Sequence, residues 1–315
     1  MTLSKKIIGK DPALKALLRS VKTVAATDAT VLITGETGTG KELIAAAILK
    51  NSRRSDKEFI ALNCAALPES IIESELFGYC KGAFTGATAA KKGLLASVAG
   101  GTLFFDEINS LSLGVQVKLL RFIQTGEYLP VGSVKTQKAD VRIIAATNTD
   151  LEKQVSAGQF RQDLYFRLSV VPLLLSPLRE RPQDIQLLMT HFFGYFAQKY
   201  TLRTPVISDH VLEVLQAYPW PGNIRELRNL CENLAVQRLR RIIEVNDLPL
   251  GYLQFKRETS AAGYFELPKG GMDWPKLETD LIQQAMVRTN GKCQQASFLL
   301  GMSRSALYYR TKNKV

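Results

Sequence analysis

The stretch "VLITGETGTGKELIAAAIL", residues 31–49, runs from an apolar segment through a glycine-rich turn into a segment of helix formers. Gly35, Gly40 and Lys41 fall in the spacing GxxxxGK, directly after a strand signal and directly before a helix signal, the context a phosphate-binding loop requires. Glycines let the backbone curl, so that N–H groups along Gly35, Glu36, Thr37, Gly38, Thr39 and Gly40 point inward at phosphate oxygens. The helix N-terminus adds partial positive charge, and the Lys41 ammonium bridges the outer phosphates. Glu42 stands where many such loops carry the Ser or Thr that ligates Mg2+, so metal coordination must lean on other residues.

Working outward, "FIALN", "GTLFFDE" and "VRIIAATN" are further short apolar runs separated by helix-like segments, which predicts a mainly parallel sheet covered on both faces. The fold class expected is α/β, with helices flanking the sheet. "GGTLFFDEI" delivers Asp106 and Glu107 together at a strand's carboxyl end, where ligands bind in open α/β sheets. Asp106 is suited to hold Mg2+, directly or through water, and Glu107 to polarise the attacking water. "VRIIAATN" ends in Thr147 and Asn148, polar groups suited to sensing the γ-phosphate. From Asp184 to about Arg241 the pattern is helical, interrupted at "YPWPGN" by two prolines and a glycine that mark a turn. The expected organisation is an α/β subdomain over 1–170, a helical lid over 171–245, a linker over 246–273 and a small all-α module over 274–315.

Composition sets the outer limits. Of the 315 residues, 46% are hydrophobic and 22% charged, a globular balance, and no apolar run is long enough to span a bilayer. The amino terminus lacks a signal peptide's apolar block, so a cytoplasmic location without membrane partners is expected. Cys64, Cys80, Cys231 and Cys293 are widely spaced and form no CxxC pair, which reads as isolated thiols. The net charge of +12 points to a polyanionic partner.

Seven segments, "GETGTGKE", "ESELFGYCKGAFTGA", "GGTLFFDEI", "RIIAATN", "FRQDLYFRL", "PLRERPQDI" and "WPGNIRELRN", occur in the order seen in the AAA+ activators of sigma-54 RNA polymerase, and the chain resembles that family from about Ile7 to Arg241. "GAFTGA" is its most specific motif. The resemblance implies that Gly82, Ala83, Phe84, Thr85, Gly86 and Ala87 form the tip of a mobile loop contacting sigma-54 in the polymerase holoenzyme. It implies ATP and Mg2+ as cofactors, with Lys41, Asp106 and Glu107 in the roles above. Asn63 resembles the switch asparagine that holds the catalytic Glu between turnovers. Arg161 and Arg167 resemble arginine fingers inserted into a neighbour's site, Arg225 resembles the lid's sensor arginine, and a ring of like subunits, dimer to hexamer, follows. The family carries Glu at position 42. Tyr79 and Cys80, where relatives often have His and Glu, and Pro130, where an arginine is common, are departures that bear on how hydrolysis couples to loop movement.

The last helices, "QQASFLLGMSRSALYYRTKNK", resemble a Fis-type helix-turn-helix that binds enhancer-like double-stranded DNA. Leu277, Leu281, Ile282, Ala285 and Met286 share one face of the helix before it. Ala296 permits close helix approach, Gly301 ends one helix and Ser303 caps the next. Ser303, Arg304, Ser305, Tyr308, Arg310 and Lys312 are the expected DNA-binding residues, and from Gly251 onward ten Lys/Arg face five Asp/Glu. The leading expectation is an ATPase that remodels sigma-54 promoter complexes. Its rival is a nucleotide-dependent DNA-binding regulator or scaffold without remodelling, and an AAA+ helicase or clamp-loader relative is disfavoured by the loop motif. Because the chain reaches the expected ATPase domain within about its first ten residues, control by a separate protein acting in trans, or by expression level, is expected.

Overall fold

Five apolar segments form one parallel sheet: β1 (Val31–Thr34), β2 (Phe59–Asn63), β3 (Thr102–Asp106), β4 (Arg142–Thr147) and β5 (Val171–Leu174), in the order β2-β3-β4-β1-β5. The computed structural model describes residues 7–237, 242–253, 272–289 and 291–312, without the side chains of 304, 305, 311 and 312. Strand residues alternate between two cores, as a period of two demands. Val31, Ile33, Phe104, Ile144 and Ala146 meet the helices Pro12–Ala25 and Lys41–Lys50 on one face. Leu32, Leu103, Phe105, Ile143 and Ala145 meet Glu69–Phe77, Leu113–Thr125 and Gln162–Leu168 on the other. The fifth strand lies past residue 170, so the sheet extends one strand beyond the expected subdomain boundary. Its sequence hides it, because Pro172 interrupts the apolar run and Leu174 is exposed.

Capping fixes the first helix. The Asp11 carboxylate accepts from the N–H groups of Ala13 and Leu14, with Pro12 in the first turn. At its far end the buried Arg142 guanidinium donates to the carbonyls of Val24 and Ala25 at 3.0 and 3.1 Å, satisfying acceptors the helix leaves open.

The lid follows with helices Gln183–Tyr200, Asp209–Ala217 and Asn223–Val236 around a core centred on Trp220, whose indole N–H donates to the Leu215 carbonyl at 2.7 Å. This core continues past the expected linker start at 246. Leu248 is buried in it, and the Tyr252 ring lies 4.7 Å from Tyr218 and 5.6 Å from Trp220. A Gly/Pro-rich composition obscured two apolar anchors there, while the expected linker residues 254–271 lie outside the described residues.

The chain divides into two compact units at residue 257. In the second, helices Trp274–Arg288, Cys293–Leu299 and Arg304–Lys312 close over Ala285, Ala296 and Leu307. Gly301 takes φ 68° after the second helix, and the Ser303 hydroxyl accepts from the Ala306 N–H at 3.2 Å, the expected turn and cap. Leu281 departs from the expected buried face and points outward. Among the described residues no helix is long and apolar enough to cross a membrane.

Candidate functional site

The phosphate loop connects β1 to the helix Lys41–Lys50 and takes left-handed φ at Gly38 (80°) and Gly40 (101°), conformations only glycine adopts without strain. Lys41 is buried, and its ammonium donates to the carbonyls of Gly35 and Glu36 at 2.8 and 3.2 Å. Burial lowers its pKa, the charges of Asp106 and Glu107 draw it back up, and Arg225 adds to the lowering. Beside the loop opens a cavity of about 490 Å3 whose lining includes Lys41, Asp106, Arg181, His191, Arg225 and Arg228.

β3 ends at Asp106, with β2 in register beside it, so that Asn63 is the strand partner of Asp106. Glu107 then takes φ 55°, ψ 48°, a conformation costly for any residue but glycine and of the kind that clusters at functional sites. The Asn63 side chain accepts from the Ala65 N–H at 2.9 Å, and among the described residues it makes no hydrogen bond to Glu107. Behind the acidic pair, Cys64 is buried, and that burial together with the two carboxylates pushes its thiol up to about 12.

At the end of β4 the two expected sensor residues part company. The Asn148 amide donates to the Thr37 hydroxyl of the phosphate loop at 3.1 Å. Thr147 is buried and turned away, its hydroxyl bonded to Asn109 at 3.0 Å and to the turn at Thr149. Alternation along the strand explains this, since neighbouring side chains leave on opposite faces.

The lid closes on the loop through residues the motifs contained without marking them. Ile224 and Arg225 donate their N–H groups to the Gly38 carbonyl at 3.0 and 3.3 Å. Asn223, fully buried, accepts from the Leu178 N–H at 2.7 Å and donates to Glu36 and to the Thr37 carbonyl, both at 3.1 Å. Arg179 grips the Glu36 carboxylate with two hydrogen bonds of 2.9 and 2.6 Å, which with the Asn223 amide holds that acid below its usual range. Arg181 is buried beneath the loop and reaches the Thr39 carbonyl at 3.4 Å. Arg179, Arg181 and Asn223 lie in "PLRERPQDI" and "WPGNIRELRN", so the segments were visible while the individual partners were not.

Arg161 and Arg167 are exposed on the helix segment beyond β4, away from the cavity that holds Lys41. Arg161 pairs with Asp163 at 2.7 Å, which raises its pKa.

The "GAFTGA" segment caps a hairpin in which Gly78–Tyr79 pairs with Lys91–Lys92. Gly82 and Gly86 take φ 82° and 102°, Ala87 is buried as the anchor, and Thr85 is exposed. Phe84 is 47% exposed, with its ring edge-on to Tyr79 at 4.9 Å. The departure at Tyr79 thus supplies the aromatic wall that seats Phe84. Cys80 and Pro130 lie where a second loop docks: the Cys80 N–H donates to the Val131 carbonyl at 3.0 Å, and Pro130 is buried.

In the carboxyl-terminal unit Tyr308 is exposed, while Arg310 forms an ion pair with Glu278 at 2.8 Å that ties the last helix to the first. The expected side chains of Arg304, Ser305 and Lys312 lie outside the described residues.

Comparison with known proteins agrees with this arrangement. Residues 7–174 match the Sigma-54 interaction domain, 179–263 the AAA+ ATPase lid domain and 275–313 the Bacterial regulatory protein, Fis family. The chain is 44% identical over 301 residues to the transcriptional regulatory protein ZraR of Salmonella typhimurium, covering 96% of this chain and 67% of ZraR. It is 43% identical over 312 residues to the sigma54-dependent transcriptional regulator SfnR of Pseudomonas fluorescens, covering 94% of this chain and 85% of SfnR. The crystal structure of NtrX from Brucella abortus in complex with ATP superposes with a TM-score of 0.73 at 31% identity, covering 98% of this chain and 69% of NtrX. The phosphate loop, the acidic strand end, the docked lid and the glycine-rich hairpin are therefore parts of one recognised assembly, and the chain belongs to the sigma-54-dependent transcriptional regulators, with an AAA+ ATPase core, its helical lid and a Fis-type helix-turn-helix.

Proposed function

We propose that this chain binds enhancer-like DNA through its carboxyl-terminal unit and uses ATP hydrolysis, in a ring of like subunits, to remodel the sigma-54 polymerase closed complex into an open one. The observation that carries the reading is a continuous path. Asn63 sits beside Asp106, the chain then forms the helix Glu69–Phe77, and that helix leads directly into the hairpin bearing Phe84 and Thr85. A change of contact at the acidic strand end has one short rigid element to cross before it reaches the loop tip.

The residues fit nucleotide and metal. Gly35 has no room for a side chain, since a Cβ there would lie 2.9 Å from the Leu175 carbonyl, and the loop from Glu36 to Gly40 is left to receive phosphates. Lys41 and Arg225 line the same cavity as Asp106, so cations meet the outer phosphates and a carboxylate is at hand for a hard divalent ion. Bound at Asp106, Mg2+ would offset charge on the phosphate oxygens. Glu107 takes the proton from the attacking water, and Asn148, held on Thr37, senses the γ-phosphate position. Arg161 and Arg167 face outward to complete a neighbour's site, a contribution worth about 10³–10⁵ in rate for arginine fingers generally. Phe84 and Thr85 present the sigma-54 contact, and Ser303, Arg304, Ser305, Tyr308, Arg310 and Lys312 supply the DNA-facing helix.

The test is open-complex formation by purified protein with sigma-54 polymerase on a promoter carrying a matching upstream site, wild type against Thr85→Ala. We expect wild type to open the promoter with ATP, and Thr85→Ala to hydrolyse ATP without opening it. Hydrolysis by wild type that never opens such a promoter sinks the remodelling reading in favour of a nucleotide-dependent DNA-binding regulator.

A further inference from the structure

Gln116, in the helix Leu113–Thr125, is fully buried, and among the described residues every hydrogen bond of its amide runs to backbone outside that helix. Its Nε2 donates to the Leu111 carbonyl at 2.8 Å and to the Gln159 carbonyl at 3.2 Å, and its Oε1 accepts from the Arg161 N–H at 2.8 Å. Two carbonyls and one N–H fix the direction of the amide, since the reverse orientation sets oxygen against oxygen. Leu111 closes the turn Ile108–Ser110 that follows Glu107, so one side chain joins the acidic strand end to the segment bearing Arg161. An apolar side chain of similar size fills a core position without the cost of desolvating an amide. What the amide adds is the placement of its partners.

Arg161 stands at the N-cap of the helix Gln162–Leu168, without a side-chain cap, and Phe160 and Leu164 on either side of it are buried. Its N–H has no acceptor but Gln116 among the described residues. Asp163 holds its guanidinium through bonds of 3.1 and 2.7 Å, so backbone and head group are both fixed at an exposed position. On the reading of Arg161 as a finger for a neighbouring subunit's site, we propose that Gln116 is the positioning residue that sets this finger, acting through the backbone and leaving the nucleotide site of its own chain intact. A displacement of about 1 Å at a group that meets the reacting phosphate costs on the order of 10²-fold in rate. Gln116→Met keeps the length of the side chain and releases the Arg161 N–H, so its ATP turnover should fall by about that factor with nucleotide affinity unchanged.

The experiment mixes full-chain variants in equal amounts and follows ATP turnover, with equilibrium binding of a fluorescent ATP analogue and the melting temperature measured beside it. Gln116→Met with Lys41→Ala should gain more than about tenfold over either alone, because Lys41→Ala lends a set finger to the intact site of Gln116→Met. Gln116→Met with Arg161→Ala should gain nothing, since neither subunit offers a working finger. That pattern belongs to a lost finger, and a merely weakened fold fails with both partners. Gln116→Glu places a carboxyl beside two carbonyls, where burial keeps it protonated, so it retains an acceptor for the Arg161 N–H and one donor. It should restore turnover with Arg161→Ala where Gln116→Met does not. Wild-type turnover of Gln116→Met, a gain when it is mixed with Arg161→Ala, a Glu variant that does no better than the Met variant, or failure with both partners through unfolding or lost nucleotide binding overturns the assignment. If Lys41→Ala and Arg161→Ala do not complement each other, the finger reading falls and this assignment with it. If they do, and Gln116→Met does not follow Arg161→Ala, the assignment alone falls.

Discussion

At one strand end Glu107, the proposed proton acceptor, follows Asp106, and behind the pair lies Cys64, a thiol that burial makes inert. Glu107 holds its left-handed backbone one residue after Asp106, so Glu107→Gln changes the proton-accepting atom while leaving volume and backbone demands nearly the same. Hydrolysis by this variant should fall by about 10²–10⁴-fold, the usual worth of a general base, with nucleotide affinity near wild type. Single-turnover hydrolysis beside equilibrium nucleotide binding separates the two quantities. Cys64 and Cys231 are buried, and burial raises both thiols, Cys64 to about 12 from an ordinary 9.0. Thiolate is the reactive form, so a disulfide reagent at pH 8 should titrate only Cys80 and Cys293 in the folded chain and all four thiols after denaturation. The sign for stability follows from the raised value. Below pH 9 the Cys64 thiol is neutral in both states, and between 9 and 12 only the unfolded chain ionises, so stability drops as pH rises through that window. Cys64→Ala should flatten the alkaline limb of a plot of denaturation midpoint against pH.

At the scale of elements, the loop and the lid are joined by a latch whose parts are far apart in sequence. Asn223 is fully buried, sits at φ 50° and serves Leu178, Glu36 and Thr37 together. Asn223→Ala strands those groups and places a residue less tolerant of left-handed backbone, so the lid should lose about 1–3 kcal/mol of docking stability. Hydrogen exchange in the helix Asn223–Val236 would rise, with the sheet unchanged; equal exchange in variant and wild type would show that the latch carries no weight. This latch also marks the limit of what the sequence could reveal. The phosphate loop, the acidic strand end and the glycine-rich hairpin were legible because their chemistry is written in contiguous residues with fixed spacing. The partners Arg179, Arg181 and Asn223 were not, because docking across some 140–190 residues leaves no local period or spacing. The burial of Thr147, the strand Val171–Leu174 and the packing of Leu248 and Tyr252 were missed for a related reason: each depends on what lies opposite in the fold. Among the helix-turn-helix residues, spacing foretold Ala296, Gly301 and Ser303, and gave no sign that Arg310 would pair with Glu278.

On the scale of the whole molecule, the placement of the arginines is the strongest constraint. Lys41, Asp106 and Arg225 gather at one cavity, while Arg161 and Arg167 stand exposed on another part of the core. If those arginines act on a neighbour, a single chain holds half of each of two sites, and specific ATPase activity should climb with protein concentration through the range where subunits associate. A subunit that lacks the lysine can still donate arginines, and a subunit that lacks the arginine can still hold nucleotide. Lys41→Ala and Arg161→Ala should therefore each be nearly inactive alone, yet a mixture should regain activity. In a random ring with the two variants in equal numbers, an intact site needs an Arg161→Ala subunit with a Lys41→Ala subunit on its finger side, an arrangement met about one time in four. Mixing should thus recover on the order of a quarter of wild-type turnover if sites fire independently, and less if they fire in concert. Full activity of Arg161→Ala alone would make that arginine a solvated surface charge, and inactive variants that stay inactive when mixed, under conditions where mixed assemblies are shown to form, would mean that Arg161 serves the site of its own chain.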